Sequence, residues 1–155
     1  GKKQVLGVGT GFFSHMNGAY DTLSNQHENV LHMAIDVFYD APAPGGGINA
    51  YASFINFDYG ENYVSRWGGT GTNLYGQLGY FLEDLKIMPY VAFQTGDYEA
   101  LEDNVNSFDV GVNYYVNGHN AKITLEYHTI RNDFRDGPTT DGNVTQWRLQ
   151  THIFL

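Results

Sequence analysis

Thr145-Gln146-Trp147-Arg148-Leu149-Gln150-Thr151-His152-Ile153-Phe154-Leu155 alternates without a break to the last residue of the chain. Successive side chains of an extended backbone point to opposite sides. Trp147, Leu149, Thr151, Ile153 and Leu155 therefore share one face, and Gln146, Arg148, Gln150, His152 and Phe154 share the other. The pattern predicts a strand with one apolar and one mostly polar side. A soluble sheet seldom ends inside such a strand. A barrel in an outer membrane is expected to, because its last strand must pair with its first so that no backbone edge is left in lipid.

Working back from this strand, about seven further segments carry the same period of two. Ala121 to Ile130 sets Ile123, Leu125 and Tyr127 against Lys122, Thr124, Glu126 and His128. Ser107 to Val116 sets Phe108, Val110, Val112 and Tyr114 against Asp109, Gly111, Asn113 and Tyr115. Ile87 to Thr95 sets Val91 and Phe93 against Tyr90 and Gln94, and Asn73 to Phe81 sets Leu74, Leu78 and Tyr80 against Tyr75, Gln77 and Gly79. Ile48 to Asp58 has apolar residues on both parities; the favoured phase has Tyr51, Ile55 and Phe57 outward and Asn56 and Asp58 inward. Val30 to Tyr39 sets Leu31, Met33, Ile35 and Val37 against His32, Ala34, Asp36 and Phe38. Gln4 to Phe13 sets Leu6, Val8 and Phe12 against Gly7, Gly9 and Gly11. Each segment is close to the 9–11 residues, roughly, with which a tilted strand crosses a bilayer.

The connections alternate in length. Ser14–Asn29, Tyr59–Thr72, Gly96–Asn106 and Arg131–Val144 are long, whereas Asp40–Gly47, Glu83–Lys86 and Asn117–Asn120 are short, the last with the Asn-Gly hairpin signature. Long extracellular loops and short periplasmic turns sort in this way in bacterial barrels, and a soluble meander has no reason to sort them.

Composition agrees. The chain has 155 residues, 12 Tyr, 10 Phe and 19 Gly, a mixture that suits short strands, tight turns and interfacial girdles. Its mean hydropathy is negative, as expected when half of every strand is polar, and no apolar run is long enough for a helical span. The absence of cysteine removes disulfide frameworks, thiolate metal sites and cysteine nucleophiles. A net charge of −9 with no basic stripe argues against nucleic acid as a partner. The chain opens in strand-like sequence without an initiator Met, as expected either after removal of a signal or, the favoured reading, of the C-terminal part of a longer polypeptide.

Tyr75-Gly76-Gln77-Leu78-Gly79-Tyr80-Phe81-Leu82 with Met88-Pro89-Tyr90-Val91, and Asp109 to Ile123 with its Asn117-Gly118-His119-Asn120 turn and returning Lys122, resemble the C-terminal half of the phosphate-selective porin O/P family and related Bacteroidota porins. Gln146-Trp147-Arg148-Leu149-Gln150 resembles the closing strand of that family. The resemblance covers the last half of the chain well and the first half weakly. It implies an all-β transmembrane antiparallel barrel over residues 1–155, about eight strands of a barrel of about 16. It implies an outer-membrane porin of a Gram-negative bacterium through which small hydrophilic solutes or ions diffuse passively. The family's ladder of anion-binding arginines and lysines has no match here, because only Lys122 and Arg148 have the inward phase.

The expected pore-lining residues are Asp36, Asp58, Asp109, Lys122, Glu126 and Arg148, charges able to set ion selectivity at close quarters. The plainer reading is that opposite signs neutralise one another across strands. His27, Glu28 and His32 could suggest a metal, but loop passes into strand between them, and solvated residues are the better account. Asp133, Asp136, Asp141 and Asn143 share one loop, and Asp97, Glu99, Glu102 and Asp103 another, without EF-hand spacing. No metal or cofactor is expected. Trp67, Tyr63 and Tyr20 are read as loop residues; Trp147, Tyr127, Tyr114 and Tyr80 are read as girdle residues at the headgroup level. Ser14 with His15, and Ser65, are not tied to a base and an orienting acid, so no enzyme is expected. The expected partners are outer-membrane lipid and lipopolysaccharide, the permeating solute, and a homo-oligomer or envelope complex. The alternatives are an eight-stranded barrel without a channel, acting as anchor, adhesin or envelope subunit, and third, a barrel enzyme.

Overall fold

The computed structural model describes residues 3–22, 24–61, 63–65, 68–118, 120–132 and 142–153. They form β1 (Val5–Asp21), β2 (Gln26–Ala43), β3 (Gly46–Asp58), β4 (Val64–Ser65), β5 (Gly68–Gly69), β6 (Gly71–Leu82), β7 (Ile87–Tyr98), β8 (Val105–Asn117), β9 (Ala121–Asn132) and β10 (Gly142–Ile153), and no helix occurs among the described residues. The long strands make one eight-stranded antiparallel sheet in the order β1-β2-β3-β6-β7-β8-β9-β10. Each of these long strands lies beside the long strands that precede and follow it in sequence. β4 and β5 pair only with each other, in the β3–β6 connection. The sheet is open: β1 and β10 are its two edges.

The short connections are tight because turn residues supply what the backbone needs there. Gly45 has φ +75° and accepts from Glu83 N at 3.0 Å, while Tyr80 Oη donates to the Pro44 carbonyl at 2.6 Å. Lys86 sits at φ +54° and donates to the Glu83 carbonyl at 3.3 Å. Gly118 takes φ +53°, and Asn120 N closes the turn on the Asn117 carbonyl at 3.0 Å; His119 lies outside the described residues.

The first long connection differs from expectation. Most of Ser14–Asn29 is paired: β1 and β2 run on to Asp21 and Gln26, with one register break between His15 and Ala19. Asn17, at φ +54°, absorbs the break, and its N–H donates to the Asn29 side-chain oxygen at 3.0 Å. Ser24 N donates to Asp21 Oδ2 at 3.2 Å across the tip. Side-chain alternation is lost in this stretch, yet a ladder needs only backbone groups.

Register carries one consequence across the whole sheet. Following paired residues from edge to edge gives the row Leu6, Tyr39, Ala50, Leu78, Val91, Val110, Tyr127, Trp147. Not one member is charged. The neighbouring row two residues away on the same face holds Val8, Val37, Ala52, Gly76, Phe93, Phe108, Thr129 and Thr145. These side chains are open: Val91 on an interior strand is 44% exposed, and Leu149 on the edge is 72% exposed. The opposite face holds the buried polar residues Asn73, Ser107, Asp109, Asn113, Thr124 and His128. Among the described residues no large side chain is fully buried. The sheet is thus inverted relative to a soluble one, with apolar side chains exposed on one face and polar ones sheltered on the other.

β3 corrects the expected phase. Phe54 lies between Ile35 and Leu74 on the apolar face, whereas Tyr51 lies between Phe38 and Gln77, Ile55 between Ala34 and Asn73, and Phe57 beside His32. Tyr51, Ile55 and Phe57 therefore have the parity of the polar face, and Asn56 and Asp58 that of the apolar one. With apolar residues on both parities, period alone could not decide. The tight Pro44-Gly45 turn fixes the register instead.

Candidate functional site

The polar face is organised by three adjacent strands. Asp109 on β8 stands opposite His128 on β9, and Glu126 on β9 stands opposite Arg148 on β10. Asp109 and His128 are hydrogen-bonded through Oδ1 and Nδ1, and both are buried. Arg148 Nη1 donates to Glu126 Oε1 at 3.1 Å. The other carboxylate oxygen, Glu126 Oε2, accepts from Tyr90 Oη on β7 at 2.7 Å. Gln146, with its carbonyl turned to the guanidinium, accepts from Arg148 Nε at 3.0 Å. Thr124 donates to Asn113 one step further along the same pair of strands.

Gly111 makes room for this network. In register, Tyr90 lies between Gly79 on β6 and Gly111 on β8. A Cβ on Gly111 would lie 2.4 Å from the Tyr90 ring, so the ring occupies the space that a side chain there would fill. That is how a β7 side chain reaches across β8 to a carboxylate on β9. Asp36 leans over Gly9 in the same way, with its Oδ1 2.4 Å from where a Cβ on Gly9 would stand. The glycines at these two polar-face positions are therefore filled by neighbours and leave no empty width.

Of the six charged residues singled out from sequence, the structure brings three together: Asp109, Glu126 and Arg148. Asp36 has the polar-face parity but lies on β2, separated from β8 by β3, β6 and β7. Lys122 shares the polar face, opposite Tyr115 and His152 toward the short-turn end of β9. Asp58, as noted, has the opposite parity, and its Oδ1 accepts from Gly60 N at 3.0 Å at the end of β3. Sequence reasoning set Tyr90 and His128 on the inward parity without marking them as site residues. The i, i+2 spacing of Glu126 and His128 was the available signal for His128. Nothing in sequence pointed to Tyr90, because its role follows from the register that sets it between two glycines.

A second cluster lies at the long-loop end. The His32 ring packs against Phe13 at 5.5 Å, Phe57 at 5.2 Å and Tyr59 at 4.5 Å, and Tyr59 stacks on Tyr63 at 5.1 Å. His32 Nε2 has no hydrogen-bond partner among the described residues. His27 instead packs against Tyr20 at 5.0 Å. Beside Phe57 a cleft of about 520 Å³ is lined by Asp58, Glu61, Asp97 and Glu99, with Thr70 and Thr72. Trp67, Asp133, Asp136 and Asp141 lie outside the described residues. On the apolar face Tyr127 and Trp147 meet at 5.2 Å.

Comparison of the chain with protein-family models, with curated proteins and with solved structures gives no match.

Proposed function

We propose that this chain is part of the wall of an outer-membrane β-barrel porin, with the apolar face in lipid and the polar face lining a passage for small hydrophilic solutes or ions. The observation that carries the reading is the pair of uncharged rows running unbroken across eight strands on the face where apolar side chains are exposed. Such a face is costly in water and favourable in hydrocarbon. The sorting of tight turns to one end of the sheet, and the resemblance of the last half of the chain to the phosphate-selective porin O/P family, support it further. On this reading both open edges are closed by further strands, since unpaired backbone groups in lipid cost several kcal/mol each, roughly.

Passage is passive. Its selectivity follows from width and from the wall charges. Glu126 is tied up by Arg148 and Tyr90, and Asp109 by His128, so this part of the wall presents charge that is largely answered within it. The test is insertion of the purified protein into planar bilayers. Discrete, ohmic conductance steps are expected; inserted protein that raises no conductance would overturn the channel reading.

A further inference from the structure

We infer that Asp109, Glu126 and His128 form a binding site for a divalent transition-metal cation, such as Zn²⁺, on the polar face of the sheet. One ligand atom from each of the three lies within 4.8 Å of the others. They come from two paired strands, Asp109 directly opposite His128 and Glu126 two residues before it on the same side. The residue opposite Glu126 is Gly111, and the Tyr90 ring lies over it, so the Tyr90 phenol borders the site and holds Glu126 through Oε2. One imidazole nitrogen and two carboxylate oxygens are a donor set for a borderline cation, which takes such ligands at about 2.0–2.2 Å with water completing the sphere.

Charge favours a cation. The group holds two carboxylates and one guanidinium, that of Arg148 on Glu126, so with neutral imidazole it is negative by one charge. Asp109 and His128 are each 8% exposed, which strengthens that attraction relative to a surface acidic patch. Without metal, Asp109 is held by His128 and Glu126 by Arg148 and Tyr90. Binding exchanges the direct Asp109–His128 contact for a shared ion, and Arg148 competes with that ion for Glu126. This inference goes beyond the porin reading and does not depend on it.

The test uses the full chain folded in detergent micelles, with Co²⁺ followed by its visible absorption and Zn²⁺ by calorimetry. Saturable binding of a single ion per chain is expected. His128→Ala and Asp109→Asn should each weaken it by more than about tenfold, as losses of this kind do at protein metal sites. Arg148→Ala should tighten it, because the competitor for Glu126 is gone. Far-UV circular dichroism checks that each variant folds; where alanine at His128 does not, His128→Gln replaces it with the same loss expected. Folded wild type that takes up no Co²⁺ overturns the inference, as does undiminished binding in the His128 and Asp109 variants. Unchanged or weaker binding in Arg148→Ala removes Glu126 from the ligand set and overturns the three-residue site.

Discussion

The residue that best shows how the polar face is built is Gly111. Its missing Cβ lets the Tyr90 ring lie across β8, and the phenol then reaches Glu126. Gly111→Ala places a methyl against that ring, so either the ring swings away or the strands shift. The expected cost is about 1–3 kcal/mol, the ordinary range for overpacking. Urea unfolding from lipid vesicles measures it. In a Tyr90→Ala background the same substitution should be nearly neutral, and the double-mutant cycle isolates the coupling. Equal costs in both backgrounds would mean that Tyr90 is not what Gly111 accommodates. The Glu126–Arg148 pair is a weaker contributor. Arg148 lies on an edge strand with its side chain 37% exposed, so the pair contributes about 0–1 kcal/mol as the sheet stands.

At the scale of the element, strands with one clean apolar parity were legible from sequence, and β3 was not. In β8, Phe108, Val110, Val112 and Tyr114 leave no choice of face, and in β9 neither do Ile123, Leu125 and Tyr127. In β3, Ile48 and Phe54 compete with Tyr51, Ile55 and Phe57, and the hydrophobic pattern is silent about which set wins. The extension of β1 and β2 past Ser14 was hidden for a related reason: a backbone ladder there carries no alternating side-chain signal. The candidate site was half legible. Asp109, Glu126 and Arg148 had the right parity, but their partners Tyr90 and His128 are chosen by register, which a single strand's sequence does not contain. The edges give the prediction at this scale. Paired cysteines at Leu125 and Leu149, opposite each other on β9 and β10, should cross-link readily under mild oxidation. Cysteine pairs set between β1 and β10, such as Val8 with Leu149, should not. Efficient β1–β10 cross-linking would establish a closed eight-stranded barrel and remove the argument for a wide channel.

At the scale of the whole molecule, the proposed porin requires the apolar face to meet hydrocarbon. The parity of Asp58 removes it from the group of wall carboxylates expected from sequence. Of the six residues first singled out, Asp36, Asp109 and Glu126 then stand against Lys122 and Arg148 on the polar face. An excess of carboxylate lowers the local potential and concentrates cations, so a mild cation preference is expected from this part of the wall. Reversal potentials under a salt gradient measure it, and Arg148→Ala should increase the preference by freeing Glu126. A strong anion preference that survives both Lys122→Ala and Arg148→Ala would place selectivity outside this chain. The most direct test of the central claim uses the absence of native cysteine. Single cysteines at Val91, Val110 and Leu125, and at Gln77, Asn113 and Thr124, are spin-labelled in the membrane-inserted protein and exposed in turn to lipid-soluble oxygen and a water-soluble nickel chelate. Labels at the first three positions are predicted to respond to oxygen and not to nickel, and labels at the second three the reverse. Nickel accessibility at Val91, Val110 and Leu125 equal to that at Gln77, Asn113 and Thr124 would contradict the assignment of the apolar face to lipid, and with it the membrane reading.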